Sequence, residues 1–280
     1  MINPALRAKR IIPVLRSLLI ILIIIVMLYP AFWFALISLK THREAFKTPP
    51  SFIFVPTFKH FQKLFERNVD FGKYYLNSII ISLGATAVSL AAGVTAAYSL
   101  SRGRFRYKNT ILIGILGARM VPPILFIIPY YMVYANLGLI DTHIGLIVIY
   151  VSFNLTLVVW SMRAFFDQVP RELEEAAYID GASDFYTFWK IILPLSTPGL
   201  AATAVLCLIL SWNEFVYALM LSQLRAMTAS VAVVIFASNE AFDWGLVSAG
   251  ALTLTMPVLV FSILVRRYLV VGLLGGSLKE

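Results

Sequence analysis

Uncharged apolar runs alternate with short polar segments along this chain, and the runs have the length of a membrane-crossing helix. A bilayer core about 30 Å thick takes about 20 residues of helix. Runs of that size cover residues 17–39, 74–101, 109–134, 144–162, 200–221 and 245–265. The third is interrupted by Arg119 and by the pair Pro122-Pro123, which predicts a kink or break. The pattern predicts an all-α integral membrane protein with six spans. Basic residues Arg7, Lys9, Arg10 and Arg16 precede the first run, and bulky Tyr29-Pro30-Ala31-Phe32-Trp33 stands where a cleavage site would need small residues. That sequence suits a retained signal-anchor better than a cleaved signal peptide.

Composition agrees and narrows the class. Of the 280 residues, 60% are hydrophobic and 13% charged, against about 25% charged in soluble domains. Soluble globular, disordered and disulfide-scaffold classes are excluded; Cys207 is the single cysteine. The net charge of +9 reads as topology rather than nucleic-acid binding, because Lys and Arg gather on the cytoplasmic side of spans. The tight cluster Arg102, Arg104, Arg106 and Lys108 places both termini in the cytoplasm.

Two loops carry structure. In the first outer loop, Phe58, Phe61, Leu64 and Phe65 fall at helical spacing. A short amphipathic helix on the outer membrane surface and a small satellite core explain that spacing equally well. The loop between spans four and five, residues 163–199, is expected in the cytoplasm. Pro170 suits a first helical turn, and Glu172, Glu174 and Glu175 complement the helix dipole there. Gly181 is placed to end the helix in a left-handed conformation. Ser183 can cap a second helix that Pro194 stops. Leu173, Ala177 and Gly181 share a face with Ala176 beside it, a surface another molecule can approach closely. Six of the chain's 14 acidic residues lie in this loop. Composition alone leaves a docking knob and a partnerless interfacial helix as even alternatives.

The run Glu175-Ala176-Ala177-Tyr178-Ile179-Asp180-Gly181-Ala182, followed by Phe188, Leu193-Pro194 and Pro198, resembles the EAA loop of binding-protein-dependent ABC importer permeases. Tyr74 to Ser78, Val121-Pro122-Pro123, Leu137 to Thr142, Trp212 to Phe215 and the tail Gly272 to Gly276 resemble the carbohydrate permeases of maltose or trehalose type. The resemblance implies a type I ABC importer permease. Residues 1–73 would be the N-terminal tail, first span and first outer loop. Residues 74–268 would be the permease core, and residues 269–280 a cytoplasmic tail. It also implies that Glu172, Glu175, Ala176, Ala177, Asp180, Gly181 and Ala182 dock a cytoplasmic ATPase, with Leu193 and Pro194 anchoring the loop's return. The implied partners are a homologous second permease, two ATPase subunits that bind ATP and Mg, an extracytoplasmic solute-binding protein, lipid and a sugar, with no nucleic acid. The implied location is the prokaryotic inner membrane.

No Gly-x-x-x-x-Gly-Lys-Ser/Thr phosphate loop occurs. His42, His60 and His143 lie in or beside outer segments and are expected in solvent, with no cofactor or metal held by this chain. Ionisable and amide groups inside spans mark pathways or structural pairs. Asn154, Asn213 and Glu214 are candidates to line a sugar route. Arg119 and Glu214 pairing with each other, or with the second permease, is the alternative. Two other functions are kept open: an importer for a polyamine, phosphate or compatible solute, and an ion-coupled secondary carrier. The second predicts repeated halves, which the sequence lacks.

Overall fold

The apolar runs become helices, and the third of the six expected spans is sharply bent. The computed structural model describes residues 4–66, 70–103, 106–238 and 243–274, with side chains between residues 15 and 263. Among these residues there is no strand. The C-terminal residues 275–280, and Arg104 of the basic cluster, lie outside the described residues.

The chain divides into two compact units, residues 1–70 with 233–255 and residues 71–232 with 256–280. The first unit holds α1 (Pro4–Ser38), α2 (His42–Ala45) and α3 (Lys59–Leu64). From residue 15 to 32 the side chains of α1 are exposed, as a lipid-facing helix requires. In α3, Leu64 and His60 are buried while Phe58 and Phe65 beside it are exposed. The helix therefore contributes to a satellite core, and its aromatic residues do not all share the inward face. His60 departs from the expected solvation. Its Nε2 donates to the Lys40 carbonyl at 2.9 Å, and its Nδ1 lies 3.4 Å from Asp243. Lys40 is itself 2% exposed, with its ammonium over the rings of Trp33 and Phe54 at 5.5 and 5.2 Å.

The second unit is built on α4 (Phe71–Arg102), α5 (Lys108–Met120), α6 (Ile127–Asn136) and α7 (His143–Gln168). It continues with α8 (Glu172–Ile179), α9 (Asp184–Thr187), α10 (Leu193–Leu195), α11 (Thr197–Trp212) and α12 (Val216–Leu221). α13 (Ala229–Ser238) and α14 (Trp244–Leu274) come next in the chain and are divided between the units, with residues 233–255 in the first. α13 lies in what the sequence reads as loop. Its ten residues are too short for a span, and its mostly apolar run carries no polar alternation to announce a helix.

Two hydrogen bonds set the register of the pair at the centre of this unit. Asn77 on α4 meets His143 on α7, and Ser101 on α4 meets Asp167 on α7. Asn77 and Ser101 are about 36 Å apart along a helix rising 1.5 Å per residue, so α4 and α7 run parallel and in step. Gly93 permits this closeness, since a Cβ there would lie 2.6 Å from Val158. Parallel neighbours require the chain to travel back between them. It does so through α5, a 3-10 turn at Pro123–Phe126 and α6, which bend by 89°. α5 begins where Lys108 donates to the Ser101 carbonyl, and α6 ends where Tyr134 donates to the Gly145 carbonyl. The second return runs through α9 to α11, bent by 76°. Here the expected stop at Pro194 moves. The second loop helix passes through a π-helical stretch, Phe188–Ile192, and on through Pro194, and the break falls at Ser196.

Candidate functional site

The first candidate site is the 171–187 loop at the end of the second unit where α4 and α7 finish. Glu172, Glu174 and Glu175 occupy the first turn of α8, where their charge opposes the helix dipole favourably. Gly181 takes φ +82° after the helix, a left-handed position that glycine fills without strain, and Ser183 Oγ accepts from Tyr186 N to start α9. Glu172, Leu173, Glu175, Ala176 and Ile179 are exposed, whereas Glu174 and Ala177 are buried. Ala177 is thus turned inward from the face predicted for it. It floors an open hollow of about 560 Å³ with Asp180, Gly181, Ala182, Ser183 and Tyr186. Within this chain nothing lies within 4 Å of a Cβ added at Gly181. Leu193 is half-buried and Pro194 exposed. The Tyr178 hydroxyl stands near Asp184 and is held above its usual pKa, by burial first and by that carboxylate second.

α8 is tied inward by one guanidinium. Arg102 Nε donates to Glu174 Oε1 at 2.6 Å, and Arg102 Nη2 donates to the Val169 carbonyl at 2.8 Å. These side chains are 13% and 9% exposed. Beside them Ser101 donates to Asp167, which also pairs with Arg163 at 3.4 Å. Sequence reasoning counted Arg102 only as a topology charge. The signal it missed is the odd acid of three, Glu174, set on the buried side of the helix.

A second candidate lies deeper, where the bend between α5 and α6 leaves a cavity of about 370 Å³ lined by Arg119, Tyr130, Phe153, Thr156, Glu214 and Tyr217. Its wall is aromatic: Tyr217 stacks on Phe153 with centroids 6.3 Å apart and meets Tyr130 edge-on at 6.0 Å. Glu214 accepts from Tyr217 N and Ala218 N at 3.0 and 3.1 Å, so its carboxylate caps α12 across the break at residues 213–215. Among the described residues no ion pair joins Arg119 to Glu214. The other two candidates stand outside the cavity. Asn154 is buried and donates to Ser211 at 2.8 Å, and Asn213 donates to its own helix at Ile209. No group of three or more His, Cys, Asp or Glu residues could hold a metal ion among the described residues.

The opposite end of the second unit is closed by a clamp that sequence reasoning did not single out. Asp141, at φ +57°, accepts from the backbone N–H groups of Gln223, Leu224, Arg225 and Ala226 at 2.8 to 3.2 Å. Burial pulls the Asp141 carboxyl up, but these donors outweigh it and hold the group below the usual carboxylate range. Asn77 donates to the Arg225 and Met227 carbonyls at 2.8 and 2.9 Å and meets His143 Nε2 through its oxygen. Ser78 accepts from Ala229 N. Leu137 to Thr142 carried the clamp's acid in the sequence, but its partners are backbone and leave no side-chain signature.

Comparison with known proteins places the chain among transport proteins. Residues 6–269 match the family model described as binding-protein-dependent transport system inner membrane component. A trehalose transport system permease protein of Mycobacterium tuberculosis is 35% identical, over 90% of this chain and 92% of its own length. A trehalose/maltose transport system permease protein of Thermococcus litoralis is 34% identical, over 92% and 94%. The fold is shared with a bacterial ABC transporter involved in import of the acidic polysaccharide alginate. That match has a TM-score of 0.76 at 23% identity and covers 94% of this chain and 98% of that one.

Proposed function

The chain belongs to the family of binding-protein-dependent transport system inner membrane components, and from that premise we propose that it forms half of the pathway of an ATP-driven sugar importer. It is a transport subunit and not an enzyme; hydrolysis resides in separate ATPase chains. The observation that carries the coupling role is the α8 knob. A short helix with Glu172, Glu175 and Ala176 exposed, turned sharply at Gly181, stands at the shared end of two in-step helices. In this reading Glu172, Glu175, Ala176, Asp180, Gly181 and Ala182 meet the ATPase. Ala177 floors the hollow that receives it, and Leu193 and Pro194 return the chain to the bilayer.

The proposed topology rests on apolar length and on the basic residues flanking the spans. Six spans cross the inner membrane, with each bent pair counted as one span and α8 and both termini in the cytoplasm. A homologous second permease completes the pathway, and an extracytoplasmic binding protein delivers the sugar at the Asp141 end. ATP and Mg bind only on the partner ATPase subunits. The cavity at Arg119 and Glu214 is the pathway element this chain supplies. Its aromatic wall suits the apolar faces of a sugar ring and its polar groups suit hydroxyls. Asn213 and Asn154 serve structure there instead. The names of the relatives, trehalose and maltose permeases, support a di- or oligosaccharide over a polyamine, phosphate or compatible solute.

Ala176→Leu tests the docking role without straining the backbone, since leucine is a good helix former and residue 176 is exposed. The variant should insert and fold normally and lose co-purification of the ATPase in mild detergent. Retained ATPase at the wild-type level would remove the docking reading. Uptake of radiolabelled trehalose, maltose and spermidine in a deletion strain tests the substrate class; loss of spermidine uptake with normal sugar uptake would overturn it.

A further inference from the structure

The knob presents three glutamates, but only two are offered outward; the third is spent inside the chain. Glu174 is 7% exposed and faces Arg102 at the last turn of α4. α8 is already linked covalently to α7 through residues 169–171. Its hold on α4 is different, because no chain connection runs between them without first crossing and recrossing the bundle. The guanidinium bridges that gap with two separate bonds, one to the Glu174 carboxylate and one to the Val169 carbonyl where α7 ends. A planar fork of this kind fixes orientation as well as distance. Alongside it, Ser101–Asp167 locks the ends of α4 and α7 to each other.

A buried ion pair is a poor device for stability alone. Desolvating both charges offsets their attraction, and apolar replacements are often as stable. What the pair supplies here is direction: α4 and α7 are already locked to each other, and Arg102 holds α8 against that locked end, so a push on α8 moves the helix pair instead of swinging α8 about residues 169–171. We infer that Arg102 is a positioning residue for energy coupling, holding Glu174 so that motion imposed on α8 by the ATPase moves the α4–α7 pair and not α8 alone. This inference rests on the reading of α8 as the ATPase-docking helix.

A thiol reporter tests it in the assembled importer without knowledge of the sugar. Cys207 is fully buried, so Ser99→Cys, on an exposed position of α4 near Arg102, supplies the accessible thiol. Its rate of modification by a small maleimide is compared with and without ATP and vanadate. The parent assembly should show a clear nucleotide-dependent change. Arg102→Met with Glu174→Met removes both charges and avoids stranding either one in the interior. This double variant should keep its ATPase subunits and their hydrolysis, while the reporter's response falls about tenfold, the size of an ordinary coupling between sites. Exchanging the charges, Arg102→Glu with Glu174→Arg, should restore most of the response, and Arg102→Lys should restore part. A full nucleotide response in the double methionine variant overturns the inference, as does a parent assembly whose reporter ignores nucleotide. Failure of the docking reading looks different: Ala176→Leu then retains its ATPase.

Discussion

The two ends of the α4–α7 pair are fastened by opposite means. At the Asp141 end the bonds run from side chain to backbone: one carboxylate holds the N–H groups of residues 223–226, and Asn77 holds two carbonyls of the same segment. At the α8 end the bonds between elements run chiefly from side chain to side chain, Arg102 with Glu174 and Ser101 with Asp167. A backbone-directed clamp shapes one loop and tolerates many side chains within it. A side-chain pair fixes two helices to each other and can be exchanged or reversed. Under the proposed function, the first suits a surface that keeps its shape for a binding protein, the second a joint that carries motion.

The largest expected effect that breaks this comparison is at Asp141. Asp141→Ala strands several N–H groups at once. It should cost about 3 kcal/mol, given 1.5–3 kcal/mol for a hydrogen bond to a charged group, with faster amide exchange across residues 222–228 as the local readout. No second substitution in that segment should restore it, because the partners are backbone; reversal of charge at Arg102 and Glu174 should restore coupling. A double-mutant cycle separates the two cases. Next in size, Asn77→Leu leaves two carbonyls unsatisfied and should cost about 2 kcal/mol in thermal unfolding, again felt first in residues 222–228.

Acidity distinguishes the ends more gently. Because Asp141 binds its proton more weakly when folded, its contribution is complete above the ordinary carboxylate pKa and fades as pH falls through the lower folded value. Amide exchange of residues 222–228, corrected for intrinsic rates, should therefore be flat from neutrality down to about pH 5 and rise only below the usual aspartate range near 3.9. The smallest effect is expected away from both ends. Gly114 on α5 has nothing within 4 Å of an added Cβ, so Gly114→Ala should stabilise the isolated chain by no more than about 1 kcal/mol, through helix propensity alone.

Much of the helix layout was legible because apolar length and turn chemistry are local properties. The runs gave α1, α4, α7 and the start of α14, while Pro122-Pro123 marked the bend before α6. Gly181 and Ser183 marked the turn and cap between α8 and α9. What escaped depends on partners distant in sequence. His60 reads as a loop histidine until Lys40 and Asp243 surround it. Glu214 is the local exception: its N–H partners lie three and four residues on, but the break before α12 that turns them onto its carboxylate leaves no mark in an apolar run. Ala177 shares a helical face with exposed Leu173, yet the packing of α9 and the π-helical stretch turns it inward. Arg102 and Glu174, 72 residues apart in sequence, appear as topology and dipole charges because neither carries a mark of the other.

The central claim, that α8 meets an ATPase, is tested most directly by crosslinking from residue 176. A cysteine placed there by Ala176→Cys can carry a short photoreactive group, with Cys207 buried and silent. In membranes containing the assembled importer, one dominant adduct with the ATP-hydrolysing subunit is expected, lost when Gly181→Leu fills the turn. Labelling of residue 176 by an impermeant reagent in intact cells, with no adduct to an ATPase, would contradict it.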